Sequence, residues 1–242
     1  MLPMASRMVI LLDRPKMKVL TIIVTPKNED AQATVRSIQK QTVHSDIYCV
    51  IGVPSKNKLA GQIVGETIND YFCYIDLKEY DWIFKSDDDI LYPKDFLEAN
   101  LKTDYDVLGR DLAMLVKVEP FLKFMDGKWN ETDMYGSVLD WTFLINNCKV
   151  NNDWVKMPLY YELPHVTPKR TWNYGKLNYQ YGFPFLAHVE GTLKVGFYSN
   201  PIWLIGIASY IYCWIKKRPK DKNSSRINAY IKSRHQRLYS MS

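Results

Sequence analysis

The sequence predicts an α/β protein: a mostly parallel sheet sandwiched by helices, with a hydrophobic, membrane-associating segment near its end. Three observations predict it. In the first half of the chain, apolar β-branched runs alternate with segments of helical spacing, the rhythm of right-handed βαβ units. One of those runs stops at three consecutive carboxylates, Asp87, Asp88 and Asp89. Further on, the 21 residues from Val195 to Ile215 carry no charge and lead directly into Lys216, Lys217 and Arg218.

Lys18 to Thr25, KVLTIIVT, is continuous and β-branched, as in a central parallel strand. It breaks at PKNED. Asn28 suits a helix cap, Glu29 and Asp30 suit a first turn, and Ala31, Val35 and Ile38 recur at helical spacing. Asp46 to Val53 is a second strand, closed by Pro54. Tyr71 to Asp76 reads as a short third strand, and Trp82 to Ser86 as a fourth that ends at the carboxylates. Pro93 opens a helix running to about Lys102. Asp106 to Leu108 is another strand and leads to Gly109 and Arg110. From Lys123 to Asn178 the pattern loosens and Pro, Trp, Tyr and Asn become frequent, as in long substrate-facing loops. LVKVEPFLKF and LDWTFLINN look like strand or short-helix pieces. No internal repeat is present.

The 242 residues, 47% of them hydrophobic, fit one domain with an appendage. We divide them into residues 1–194, the sheet domain, and residues 195–242, the hydrophobic segment with its tail. The formal charge of +6 is uneven: from Lys216 onward nine Lys and Arg face a single acid, Asp221. Such a tail meets nucleic acid or anionic lipid. Nothing else in the chain suggests nucleic acid, and the segment before the tail favours lipid. Cys49, Cys73, Cys148 and Cys213 form no C-x-x-C pair and sit among apolar neighbours, as small core residues in a reducing compartment do. In that setting the sequons at Asn130 and Asn223 are chance matches. The apolar run Met8 to Leu12 is too short for a signal peptide.

Three adjacent carboxylates at the tip of a buried strand repel one another and bring no structural benefit. A hard divalent cation supplies the missing charge. Mg²⁺ or Mn²⁺ takes oxygen ligands and shares its shell with phosphates. Open α/β sheets bind ligands at their carboxyl edge. The spacing thus points to a site for a metal–diphosphate; the competing reading is a solvated acidic turn.

TIIVTPKNED, then SIQKQT, then DDDI followed by a proline resembles the GT-A fold, Rossmann-like glycosyltransferases of family 2. The nearer resemblance is to polyprenyl-phosphate (dolichol-phosphate) mannose synthases, with DVLGR and LDWT in the order expected after the triplet. It covers roughly residues 18 to 145 and is loose beyond. The resemblance implies that Pro26, Asn28 and Glu29 lie on the donor nucleoside. It implies that Asp87 and Asp88 face the donor and that Asp87 and Asp89 serve the metal. Arg110 then lies near a phosphate, and Asp140 beside the acceptor. Two departures stand out. Gly52 and Val53 occupy positions where the family commonly carries acids that meet the base, and a Glu-Asp catalytic pair is absent. Glu162 is a second, isolated acid.

The implied reaction moves a sugar from a nucleotide-diphosphate sugar to a lipid-linked or glycan acceptor. Arg110, Lys169 or Arg170 would close over the phosphates, and inversion would follow in-line attack. His165 and His188 are isolated, and His188 reads as structural rather than as a metal ligand or a neighbour of the phosphates. From Pro201 on, only 15 uncharged residues precede Lys216, short of the roughly 20 needed to span a bilayer. A crossing would also separate the basic tail from a cytoplasmic catalytic part. The segment therefore reads as a helix partly sunk in the inner leaflet or a re-entrant hairpin, on the cytoplasmic face, against the alternative of a soluble core helix. Two rival functions are weighed. A nucleotidyltransferase normally shows a glycine-rich basic loop after its first strand, and TPKNED has none. A non-enzymatic membrane-binding module on the same fold is opposed by the intact triplet.

Overall fold

The computed structural model describes residues 17–26, 29–52, 60–110, 113–129, 141–160, 167–193 and 201–239. A six-stranded sheet forms the centre: β1 (Val19–Thr25), β2 (Ser45–Ile51), β3 (Trp82–Asp87), β4 (Val107–Arg110), β5 (Ala113–Lys117) and β6 (Val150–Asn151), in the order β2-β1-β3-β5-β4-β6. The β1–β2, β1–β3 and β4–β6 pairs are parallel, and β5 runs antiparallel to both β3 and β4.

Every residue of β1 is buried, as its unbroken β-branched run requires. Alternation divides the strand between two cores. Leu20, Ile22 and Val24 join Ile83 and Val116 beneath α2 (Ala60–Phe72) and α4 (Val118–Met125), where Ile68, Phe72 and Phe121 are buried. Val19 and Ile23 join Trp82, Phe84 and Leu115 beneath α1 (Gln32–Gln39) and α3 (Phe96–Leu101), through Ile38, Phe96 and Leu97.

The expected third strand is absent. Tyr71 and Phe72 end α2, and a 3₁₀ turn over Leu77–Glu79 follows. Val64, Ile68 and Phe72 recur every four residues, so the apolar run is the tail of an amphipathic helix rather than an extended segment. Helix α3 starts at Phe96 and not at Pro93, whose carbonyl instead accepts from the Phe96 N–H at 3.0 Å. LVKVEPFLKF contains both elements offered for it, the end of β5 and then α4. Residues 141–144 are helical. The expectation for the cysteines holds for Cys213, which is buried, and in part for Cys148, which is half-buried against the core beneath α2 and α4. Cys49 is exposed on the outer strand β2, and Cys73 is exposed just past α2.

Gly109 is required by its surroundings. Its φ is +75°, and a Cβ there would lie 2.1 Å from the Trp154 ring. Trp154 in turn packs on Phe84 and Phe96.

Asp106 binds three strands. Its carboxylate takes the Lys117 ammonium at 2.9 Å and the Lys149 N–H at 2.9 Å. Burial pushes this carboxyl up, but those two donors outweigh it and hold the group below its ordinary value. A depressed carboxyl stabilises the fold above its unfolded pKa, near 3.9, and loses that contribution as pH falls through the folded value. Asp106→Asn is expected to cost about 1 kcal/mol at pH 7 in urea unfolding, with the difference from the parent fading below about pH 3.

The C-terminal part adds α5 (Pro168–Gln180), α6 (Phe185–Thr192), α7 (Leu204–Ile215) and α8 (Ser224–Tyr239). Thr167 caps α5 by accepting from the Arg170 N–H, with Pro168 at the first turn. Lys169 and Arg170 thus belong to a helix start. Helix α7 lies against α5 so closely that a Cβ on Gly175 would meet the Gly206 carbonyl oxygen at 1.8 Å. Ser209 Oγ completes the contact by donating to the Trp172 carbonyl at 2.6 Å. With 12 residues α7 is about 18 Å long. Among the described residues no helix is long and apolar enough to cross a membrane. One face of α7 is core, through Gly206, Ser209, Tyr210 and Cys213, while Trp214 and Ile215 are each 66% exposed. Helix α7 is therefore core on one face and apolar surface at its C-terminal end. His188 is structural as expected: buried, within 3.0 Å of the Asn178 amide through Nδ1, stacked on Tyr210, and pushed down in pKa by burial.

Candidate active site

The carboxylates end β3 at the carboxyl edge of the sheet. Val24 is in register with Asp87, so Thr25 and Pro26 at the end of β1 adjoin the triplet. On the other side Ser86 pairs with Ala113, and Ala113 with Arg110. β4 runs in the same direction as β3, since each is antiparallel to β5. The backbone of Arg110 therefore reaches the same edge as Asp87. Pro26 and Glu29 are exposed beside it. Asn28, Asp140, Glu162 and His165 lie outside the described residues.

The three acids occupy different environments. Asp87 is half-buried, and its carboxylate pairs with the Lys85 ammonium. Burial raises the Asp87 pKa, Lys85 pulls it down, and the charges of Asp89 and Asp88 push it up again; the outcome is a raised value. Asp88 turns inward. Its carboxylate accepts from Thr25 Oγ1 at 2.7 Å and its carbonyl from Thr34 Oγ1 at 2.6 Å. This ties the triplet to the end of β1 and to α1. Asp89 is exposed.

Lys85 is the site residue that the sequence pattern does not announce. It is 1% exposed, in mid-sheet. Positions 85 and 87 of a strand share a face, so Lys85 reaches along β3 to Asp87 instead of to water. The period-two spacing of Lys and Asp in an otherwise apolar strand is the one signal that could have found it. Ser86 faces the opposite side and shares a hydrogen bond of 2.7 Å with the buried Tyr92 hydroxyl. The base of the acidic tip is thus held on both faces.

The donor set is all oxygen, which suits Mg²⁺ or Mn²⁺. Among the described residues no three His, Cys, Asp or Glu side chains converge as a metal cage. An Mg²⁺-type ion typically uses one or two carboxylates and completes its shell with phosphates and water. The arrangement fits such an ion brought by a diphosphate, and not a closed structural site.

Neither a protein-family profile nor a curated protein matches the chain. Among solved structures it is similar to the mannosyltransferase PcManGT from Pyrobaculum calidifontis in complex with GDP-Man and Mn²⁺. The TM-score is 0.53 at 10% identity, covering 89% of this chain and 79% of that one. At that identity the likeness concerns architecture, and the architecture is that of a GT-A-type domain.

Proposed function

We propose that this chain is a metal-dependent glycosyltransferase. It moves a sugar from a nucleotide-diphosphate donor to a membrane-associated acceptor, a polyprenyl phosphate or a lipid-linked glycan, with inversion. One observation carries the reading: an acidic triplet sits at the carboxyl edge of a GT-A-type sheet, its middle member hydrogen-bonded to the end of β1.

In this reading Pro26, Asn28 and Glu29 lie along the nucleoside. Asp87 and Asp89 would hold Mg²⁺ or Mn²⁺, whose charge offsets that of the departing diphosphate. Asp88 orients the triplet toward the donor through Thr25. Arg110, a planar fork suited to phosphate oxygens, lies at the same edge. Asp140 takes the proton of a hydroxyl acceptor, or positions a lipid phosphate that is already ionised. Residues 1–194 carry the chemistry, and residues 195–242 hold it at the cytoplasmic face of a membrane.

Bound nucleotide at about 100 times its Kd stabilises by about 2.7 kcal/mol. For a chain of this size that raises Tm by roughly 5–11 °C. GDP or UDP is expected to do so with Mn²⁺ or Mg²⁺ but not with chelator, and Asp89→Ala is expected to abolish the shift. Equal shifts in chelator would sink the metal assignment.

A further inference from the structure

A cavity lies among the C-terminal helices. It encloses about 660 Å³, within the usual range for ligand pockets, about 300–1,000 Å³. All of its lining residues fall between Tyr179 and Lys232, on the helices and links that follow the sheet. Tyr179, Phe183 and Tyr210 form an aromatic wall, and Tyr179 and Tyr210 meet edge to face. Leu186 and Trp214, 78% and 66% exposed, form an apolar lip.

The polar groups of this cavity are unevenly engaged. The Tyr210 hydroxyl donates to the Phe183 carbonyl at 2.6 Å, and the Asn228 amide to the Gly182 carbonyl at 2.7 Å. Both donors are therefore committed to the wall. Lys220 and Lys232 also line the cavity, and no carboxylate does. Lys220 Nζ stands 5.4 Å above the Tyr179 ring. Neither lysine joins an ion pair among the described residues. An apolar trough with two cations and no acid complements a molecule that is a hydrocarbon chain at one end and an anion at the other.

We propose that this cavity binds one anionic phospholipid of a membrane surface, its acyl chain against the aromatic wall and its phosphate on Lys220 and Lys232. The inference rests on the membrane-surface part of the proposed function and is independent of the donor chemistry. It gives the basic tail a specific role, in which two of its nine cations line a lipid-shaped cavity and the rest supply the general field.

The test uses the full chain in EDTA without nucleotide. Vesicles of phosphatidylglycerol with brominated acyl chains are compared with phosphatidylcholine vesicles, reading co-sedimentation and tryptophan quenching. Binding to phosphatidylglycerol is expected to be at least 10 times tighter. Lys220→Glu with Lys232→Glu is expected to weaken it about 30-fold or more, and Trp214→Phe to remove at least half of the quenching. Both lysines are exposed, so the double variant should keep its Tm, which is measured alongside. Millimolar inorganic phosphate is expected not to displace the vesicles; displacement would assign the cations to a free anion. Equal binding to both lipids, no binding at all, a folded double variant that binds like the parent, or undiminished quenching in Trp214→Phe would each overturn the proposal. A chain that passes this test and fails the nucleotide test loses the transferase reading and keeps the lipid site.

Discussion

Lys85→Met is expected to destabilise the protein by about 3–5 kcal/mol at pH 7, because it leaves the Asp87 carboxylate in the sheet without its cation. Methionine fills similar space, so packing alone predicts a far smaller loss. The loss should depend on pH in a defined direction. Lys85 pulls the Asp87 pKa down against burial and against the neighbouring acids. Without it the carboxyl rises further above its unfolded value. A raised carboxyl favours the fold below the unfolded pKa, and that contribution disappears as pH rises through the folded value. The variant is therefore expected to regain part of its stability on acidification from pH 7 to 5, read by urea unfolding at each pH. Adding Asp87→Asn should restore most of the stability at pH 7, since the unpaired charge is gone. The double variant should still show no nucleotide-and-metal shift. A loss that is flat with pH and unchanged by Asp87→Asn would mean that Lys85 acts through its shape alone.

Gly175→Val is expected to cost about 3 kcal/mol or more, placing it among the overpacking substitutions that force backbone to move. A Cβ at 1.8 Å from the Gly206 carbonyl meets main chain, which cannot step aside as a side chain can. The helices α5 and α7 must then separate, and the Ser209–Trp172 hydrogen bond goes with them. Gly206→Ala provides the contrast. Its Cβ would lie 3.3 Å from the Thr171 carbonyl, a crowding of a few tenths of an ångström. Higher helix propensity offsets part of that, by about 1 kcal/mol. Thermal unfolding of the two variants should differ by several degrees, with Gly175→Val the lower.

The strands that form the site are legible because each is a short, mostly apolar run that breaks at polar or charged residues. Val19–Thr25 and Trp82–Asp87 lie within a residue of where the runs KVLTIIVT and WIFKS place them. The Tyr71–Asp76 run misleads because four or five apolar residues satisfy either period; only the spacing back to Val64 and Ile68 decides for helix. The carboxyl-edge position of the acids follows from strand order and direction. The Lys85–Asp87 pair does not, because a lysine beside acids reads as exposed until the strand is known to be central. The contact between Gly175 and Gly206 is out of reach for another reason: two glycines 31 positions apart carry no local signal that they meet. The cavity shares that difficulty, since its lysines lie in a tail whose composition alone says only that it is basic.

The outermost strand of the sheet has a consequence of its own. β2 takes the end position, and Ile51 on it is 50% exposed. A strand in that place presents backbone N–H and C=O groups to any extended segment that drifts by, whether from an unfolding neighbour or from a second chain, and such margins seed aggregates. Asp46, exposed on the same strand and bonded to the Tyr80 hydroxyl at 2.8 Å, puts a fixed negative charge there. A foreign strand zipping onto β2 must set one of its own side chains beside that charge, so an acidic or poorly matched segment is repelled at the rim.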